Sequence, residues 1–113
     1  MSSPYARAAS AIVQAAREAV GSAGMDRDEF AAYLSAELDE DIPPEELEFW
    51  EFGGSYPGYV MLLCAAVIRE AVIAGLPVAA DVRSAAEQTA RTVPRLPPGD
   101  PVRELLSRWP GAT

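Results

Sequence analysis

The stretch Tyr59 to Ala74 restricts the possible folds more than any other part of the chain. It is helical in length and apolar nearly all round. Val60, Leu63, Cys64, Val67 and Ala71 fall on one face, and Met61, Leu62, Ile68 and Val72 fall largely on others. Such a helix must be buried on more than one side. In a chain of 113 residues the cover comes either from the C-terminal third or from a second copy, and a homodimer is the expectation on this ground.

The rest of the sequence supplies further helices and no strand pattern. Tyr5 to Val20 carries neither glycine nor proline and spaces Ala8, Ile12, Ala16 and Val20 at i, i+4, with Val13 alongside. That predicts an amphipathic helix ending near Gly21. A second helix starts on a clear signal, with Asp26 as N-cap, Glu29 completing a capping box, and Met25 and Phe30 placed as a hydrophobic staple. Phe30, Leu34 and Leu38 share one face before Asp39-Glu40-Asp41 ends the helix in an exposed turn. Ile42-Pro43-Pro44-Glu45-Glu46-Leu47 repeats this grammar and predicts a short helix from Pro44 to Phe52, closed by Gly53-Gly54 and a turn over Ser55-Tyr56-Pro57-Gly58.

Beyond the apolar helix, one helix is predicted from about Val78 to Thr92 and a stiff connector from Pro94 to Pro98. Asp100-Pro101 then opens a last short helix carrying Val102, Leu105, Leu106 and Trp109. The expected fold is all-α: one compact five- to six-helix domain over 1–113, with a core at about 12–75 and a helical extension at about 76–113. Its predicted core is Phe30, Leu34, Leu38, Ile42, Leu47, Trp50, Val60, Leu63, Cys64 and Val67.

Composition then narrows the function. All nine basic residues are arginine, histidine and lysine are missing, and alanine is abundant, which points to a GC-rich coding genome. A formal net charge of −8 works against general attraction to nucleic acid or anionic membrane. With no histidine, a lone Cys64 inside an apolar run, and neither a glycine-rich phosphate loop nor zinc spacing, no catalytic activity and no cofactor or metal is expected. The carboxylates sit on an expected solvent face rather than in a pocket that would split their pKa values. The N-terminus has no long apolar region, and the most apolar run, Tyr59 to Ile68, stops at Arg69-Glu70, so neither export nor a membrane span is expected and a reducing cytoplasm suits the single cysteine.

The element Trp50-Glu51-x-Gly53-x-x-x-Pro57, preceded by a capped helix and followed by an apolar one, resembles the lambda-repressor-like (XRE-type) helix-turn-helix family. The resemblance spans roughly Ile12 to Ala66. It implies that Phe30, Ala31 and Leu34 lie on the first helix of the motif, Ile42 and Leu47 at the turn and inner face of the recognition helix, and Trp50 at its closing hydrophobic position. Val60, Leu62 and Leu63 resemble the family's following helix, and Glu51 would form an internal ion pair with an arginine of the preceding helices, for which Arg17 is the candidate. The turn Asp39-Glu40-Asp41 is longer than the shortest family versions, a variation associated with actinobacterial members. Independently of the family, two short capped helices with inward Phe30, Leu34, Leu38, Leu47 and Trp50 must share one small core, since short helices are unstable alone.

One departure bears on function. Family members read bases through short polar or basic side chains, whereas the outward positions here are Pro43, Pro44, Glu45, Glu46, Glu48 and Phe49. From Met25 to Tyr56, eleven acidic residues (Asp26, Asp28, Glu29, Glu37, Asp39, Glu40, Asp41, Glu45, Glu46, Glu48, Glu51) stand against the single Arg27. Several glutamates facing phosphates would cost on the order of 2 kcal/mol before screening, and base readout by glutamate still needs phosphate contacts to hold the register.

The acidic face is therefore either simply solvated or a docking surface. Glu45, Glu46, Glu48, Phe49, Phe52 and Tyr56 are the candidate contacts for a protein partner. The aromatics have a second possible role, as cover for the apolar helix. Three functions remain open at this point: a regulator-like protein acting through protein contacts, a DNA-binding regulator using phosphate contacts from Arg7, Arg27, Arg69 or Arg83, and a structural subunit joined through the apolar and Trp109 helices.

Overall fold

The structure is a computed structural model. It describes the backbone of residues 4–52 and 58–109 and the side chains of residues 11–52 and 58–109. Six α-helices follow in chain order: α1 (Pro4–Ser22), α2 (Arg27–Leu38), α3 (Pro44–Glu51), α4 (Gly58–Ile73), α5 (Ala80–Thr89) and α6 (Pro101–Ser107). A 3₁₀ turn, Ala90–Thr92, closes α5. Among the described residues there is no strand.

Helix ends form where local chemistry requires them. Asp26 accepts the Glu29 amide at 2.8 Å while the Glu29 carboxylate takes the Asp26 amide at 3.1 Å, so the predicted capping box is present. Pro44 occupies the first turn of α3, and Asp100 caps α6 by accepting the Val102 amide at 2.9 Å. Two helices close through a left-handed glycine followed by a six-to-one hydrogen bond. After Gly24 (φ 109°) the Met25 amide reaches Val20, and after Gly75 (φ 93°) the Leu76 amide reaches Ala71.

At the end of α2, Asp39 takes the left-handed position (φ 52°), where an aspartate is tolerated better than most side chains. The following connection is fastened by Ser35, whose hydroxyl accepts the Ile42 amide at 3.0 Å and donates to the Ala31 carbonyl at 2.8 Å. This staple was not read from the sequence.

The apolar helix α4 is the centre of the packing. It buries Val60, Cys64, Ala65, Ala66, Val67, Ile68, Glu70 and Ala71, chiefly against α1 and α5, with α2, α6 and the 3₁₀ turn completing the enclosure. The N-terminal and C-terminal thirds together thus supply the cover that the sequence left to either the C-terminal third or a second copy. Tyr59, Leu62 and Ile73 are the large apolar side chains of α4 that this cover leaves exposed. Small side chains on α1 (Ala16, Ala19) and α4 (Ala65, Ala66) fit the close approach of these two helices.

Several expectations shift in detail. Of the ten predicted core residues, Leu38 and Leu63 are only half-buried at the margin of the core. Leu38 is the last residue of α2, where the chain turns to solvent, and Leu63 lies beside the exposed side of α4 that carries Tyr59 and Leu62. The predicted helix Val78–Thr92 starts two residues later, with Val78 packed against the core ahead of it, and ends in 3₁₀ geometry. That end is held by Arg69, whose guanidinium donates to the carbonyls of Ala90, Val93 and Pro94 at 3.0, 2.9 and 2.8 Å. Trp109 lies beyond the end of α6, half-buried against the core. The predicted Gly53-Gly54 stop and the turn through Pro57 fall outside the described residues.

Candidate functional site

Eight residues of α3 divide cleanly between inside and outside. Leu47, Trp50 and Glu51 point into the core, which leaves Glu45, Glu46, Glu48 and Phe49 on the outer side, with Phe52 capping the helix. Phe49 is 60% exposed and Phe52 82% exposed. Being three residues apart, the two rings share one side of the helix end. The alternative in which they cover α4 is not what the structure shows.

The carboxylate surroundings extend past α3. Tyr59, at the start of α4, donates its hydroxyl to Glu40 at 2.5 Å and so ties the acidic turn Asp39–Asp41 to the α4 end. That bond to Glu40 raises the Tyr59 phenol above its ordinary pKa, with slight burial and the negative charges of Glu40 and Glu46 acting the same way. Tyr59 and Leu62 are 41% and 39% exposed, so apolar surface and carboxylates alternate from α3 to α4. Tyr56 lies outside the described residues.

Arg27 is the one arginine that reaches this face among the described residues, and internal partners occupy it. Its Nε lies 3.7 Å from Glu51 Oε2 and its Nη1 4.0 Å from Glu48 Oε2. Glu51 is buried and also receives the Nε–H of Arg17 from α1, the partner expected from the family resemblance. The acidic face therefore keeps Glu45, Glu46, Glu40, Asp39 and Asp41 without an arginine partner among the described residues.

The candidate phosphate contacts are dispersed. Arg27 and Arg69 are engaged internally, Arg83 stands exposed on α5, and the Arg7 side chain lies outside the described residues. Arg27, Arg69 and Arg83 are not brought together as a cationic surface beside α3.

Two polar clusters were not legible in the sequence. Buried Glu70 of α4 receives a two-pronged contact from Arg95, Nη2 at 2.8 Å and Nε at 3.2 Å, with Arg103 Nε 4.0 Å away. These arginines fasten the connector and α6 onto α4 beside an open cleft of about 250 Å³ that also includes Ile73 and Leu106. Asp100 is buried as well, and besides capping α6 it accepts the Tyr33 hydroxyl from α2 at 3.1 Å. Burial, with the Asp100 charge behind it, raises the Tyr33 phenol, and desolvation together with Asp100 also raises the Glu37 carboxyl on the same helix. Both clusters join helices and hold their polar atoms on one another. A second cleft, of about 260 Å³, is mostly apolar and is lined by Ala15, Ala19, Leu76, Val78, Val82 and Trp109 among others.

The described residues form six α-helices packed around a central apolar one, with exposed phenylalanines on and just after an acidic helix. No family model, curated protein or solved structure matches it. Among the described residues no helix is long and apolar enough to cross a membrane, and no group of histidine, cysteine and acidic side chains is arranged to hold a metal.

Proposed function

We propose that this chain is a transcription-regulator-like protein in which α2 and α3 are the two helices of a helix-turn-helix, and in which the outer face of α3 docks a protein rather than DNA. On this reading it is a non-catalytic co-regulator, antirepressor or dimerisation module. The exposure of Phe49 and Phe52 on an acidic helix is the observation that carries it. Large aromatics are costly to leave in water and common at the centres of protein interfaces. A phosphate-facing helix would be expected to present cations there, and Arg27, the arginine nearest this face among the described residues, lies beside Glu51 and Glu48 at 3.7 and 4.0 Å.

The experiment is site-specific photo-crosslinking from position 52 in cells of the source organism, repeated with Glu45, Glu46 and Glu48 changed together to arginine. Capture of a discrete protein that the triple variant loses is the expected result. A mobility shift of duplex DNA at low salt that is abolished by substitutions on α3 would overturn the proposal.

A further inference from the structure

The geometry points to a basic segment of a partner protein as the occupant of the α3 face, an Arg- or Lys-bearing stretch with an apolar side chain seated between Phe49 and Phe52. This inference rests on the reading of α3 as a protein-docking face and goes further by fixing the chemistry of the partner.

Two sources of negative potential lie beside the two rings. Glu45, Glu46 and Glu48 stand exposed on the same helix as Phe49, three or four residues from one ring or the other. The C-terminal end of α3 contributes a partial negative charge, its last turn contains no basic residue of its own, and the guanidiniums of Arg17 and Arg27 lie on its inner side at Glu51. Phe52 sits at that end as the cap residue, more exposed than any other large apolar side chain described.

A guanidinium or ammonium placed there meets a helix terminus, carboxylates and an aromatic face together, and aromatic faces attract cations, guanidinium in particular. An acidic segment would meet repulsion from every side. A neutral one would gain only the ring contacts. Among the described residues the arginine nearest the outer face is Arg27, and its guanidinium is turned toward Glu51 and Glu48, at 3.7 and 4.0 Å, rather than toward the rings. Long-range attraction of this kind acts most strongly on the rate of encounter and weakens with salt.

The test is fluorescence anisotropy of the full chain with labelled helical peptides of about 14 residues. The peptides share one leucine stripe and differ only in whether the flanking positions are arginine, glutamine or glutamate. The arginine peptide is expected to bind about tenfold more tightly than the glutamine peptide at low salt, and the glutamate peptide not to bind. Raising salt from about 50 to about 300 mM should narrow the gap severalfold. Changing Phe49 and Phe52 to alanine, or Glu45, Glu46 and Glu48 to glutamine, should each weaken the arginine peptide about tenfold. All five side chains are exposed, so the variants should fold, and their thermal melts provide the check.

Equal binding of the arginine and glutamine peptides, with both lost on changing Phe49 and Phe52, would remove the preference for cations and leave the docking reading standing. An arginine peptide that binds the glutamine variant as tightly as the parent would show attraction to net charge alone and overturn the inference. If no peptide binds and crosslinking from position 52 captures nothing, both the inference and the docking reading fail.

Discussion

Arg17 of α1 donates its guanidinium Nε–H to Glu51 at the end of α3, across 34 residues of sequence, with the Glu51 side chain only 4% exposed and that of Arg17 26% exposed. Arg27 of α2 approaches the other carboxylate oxygen at 3.7 Å, so one buried carboxylate joins three helices. The residues of α3 that look outward are those left over once Leu47, Trp50 and Glu51 are anchored inside.

Removing Arg17 leaves a buried carboxylate with only the longer Arg27 contact. Arg17→Met is expected to destabilise the fold by about 2 kcal/mol, less than for a fully enclosed pair because Arg17 is partly in water. Changing both members, Arg17→Met with Glu51→Leu, should recover much of that loss. Urea midpoints of the two single variants and the double variant test this, and additive losses would show that the pair is not coupled.

Asp100 carries two loads, the cap of α6 and the Tyr33 hydroxyl. Asp100→Ala orphans the buried Tyr33 hydroxyl together with the α6 amides and should cost about 2 to 3 kcal/mol. Tyr33→Phe removes one hydrogen bond and should cost about 1 kcal/mol. Chemical denaturation of both variants checks the order, and an equal loss for the two would contradict it.

Glu37 has its carboxyl raised above the ordinary 4.5 by desolvation first, then by the nearby Asp100. A folded-state pKa above the unfolded one means a contribution to stability that is complete below the unfolded value and is lost as pH rises through the folded value. Glu37→Gln should therefore gain on the parent as the pH climbs from about 4 to about 7, by a few tenths of a kcal/mol after solvent screening. Thermal melts of the two proteins across that range would show it. A difference that is flat with pH would rule the coupling out.

Cys64 is fully enclosed, and burial first, then the negative charge of Glu51, pushes its thiol up to about 12. A thiolate is the reactive form, so a maleimide at mildly alkaline pH should label Cys64 only when the chain unfolds. The labelling rate should rise with urea in step with the loss of helical circular dichroism. Fast labelling of the native protein would contradict the enclosure of α4.

Phe49 and Phe52 contribute to a surface rather than to the core. Changing both to serine should alter stability by less than about 0.5 kcal/mol, which a thermal melt would register. A larger loss would show that the rings pack on the fold in solution.

The starts of α2 and α6 were readable from Asp26 and Asp100 because a cap is satisfied within three or four residues of its own chain, and that of α3 from Pro44, whose fixed φ suits a first helical turn. The enclosure of α4 was readable only as a requirement, since hydrophobicity says that a surface must be covered but not by what. Of the pairings between distant residues, Arg17–Glu51 was named only through the family resemblance, and the others were not legible. Tyr33 meets Asp100 across 67 positions and Glu70 meets Arg95 across 25, and each pairing depends on the angle at which separately formed helices dock. For the same reason the pattern of α3 left Phe49 and Phe52 open to two readings, as cover for α4 or as surface. Packing resolved it: α1, α5 and α6 of the same chain occupy the flanks of α4, so the two rings are left to the solvent.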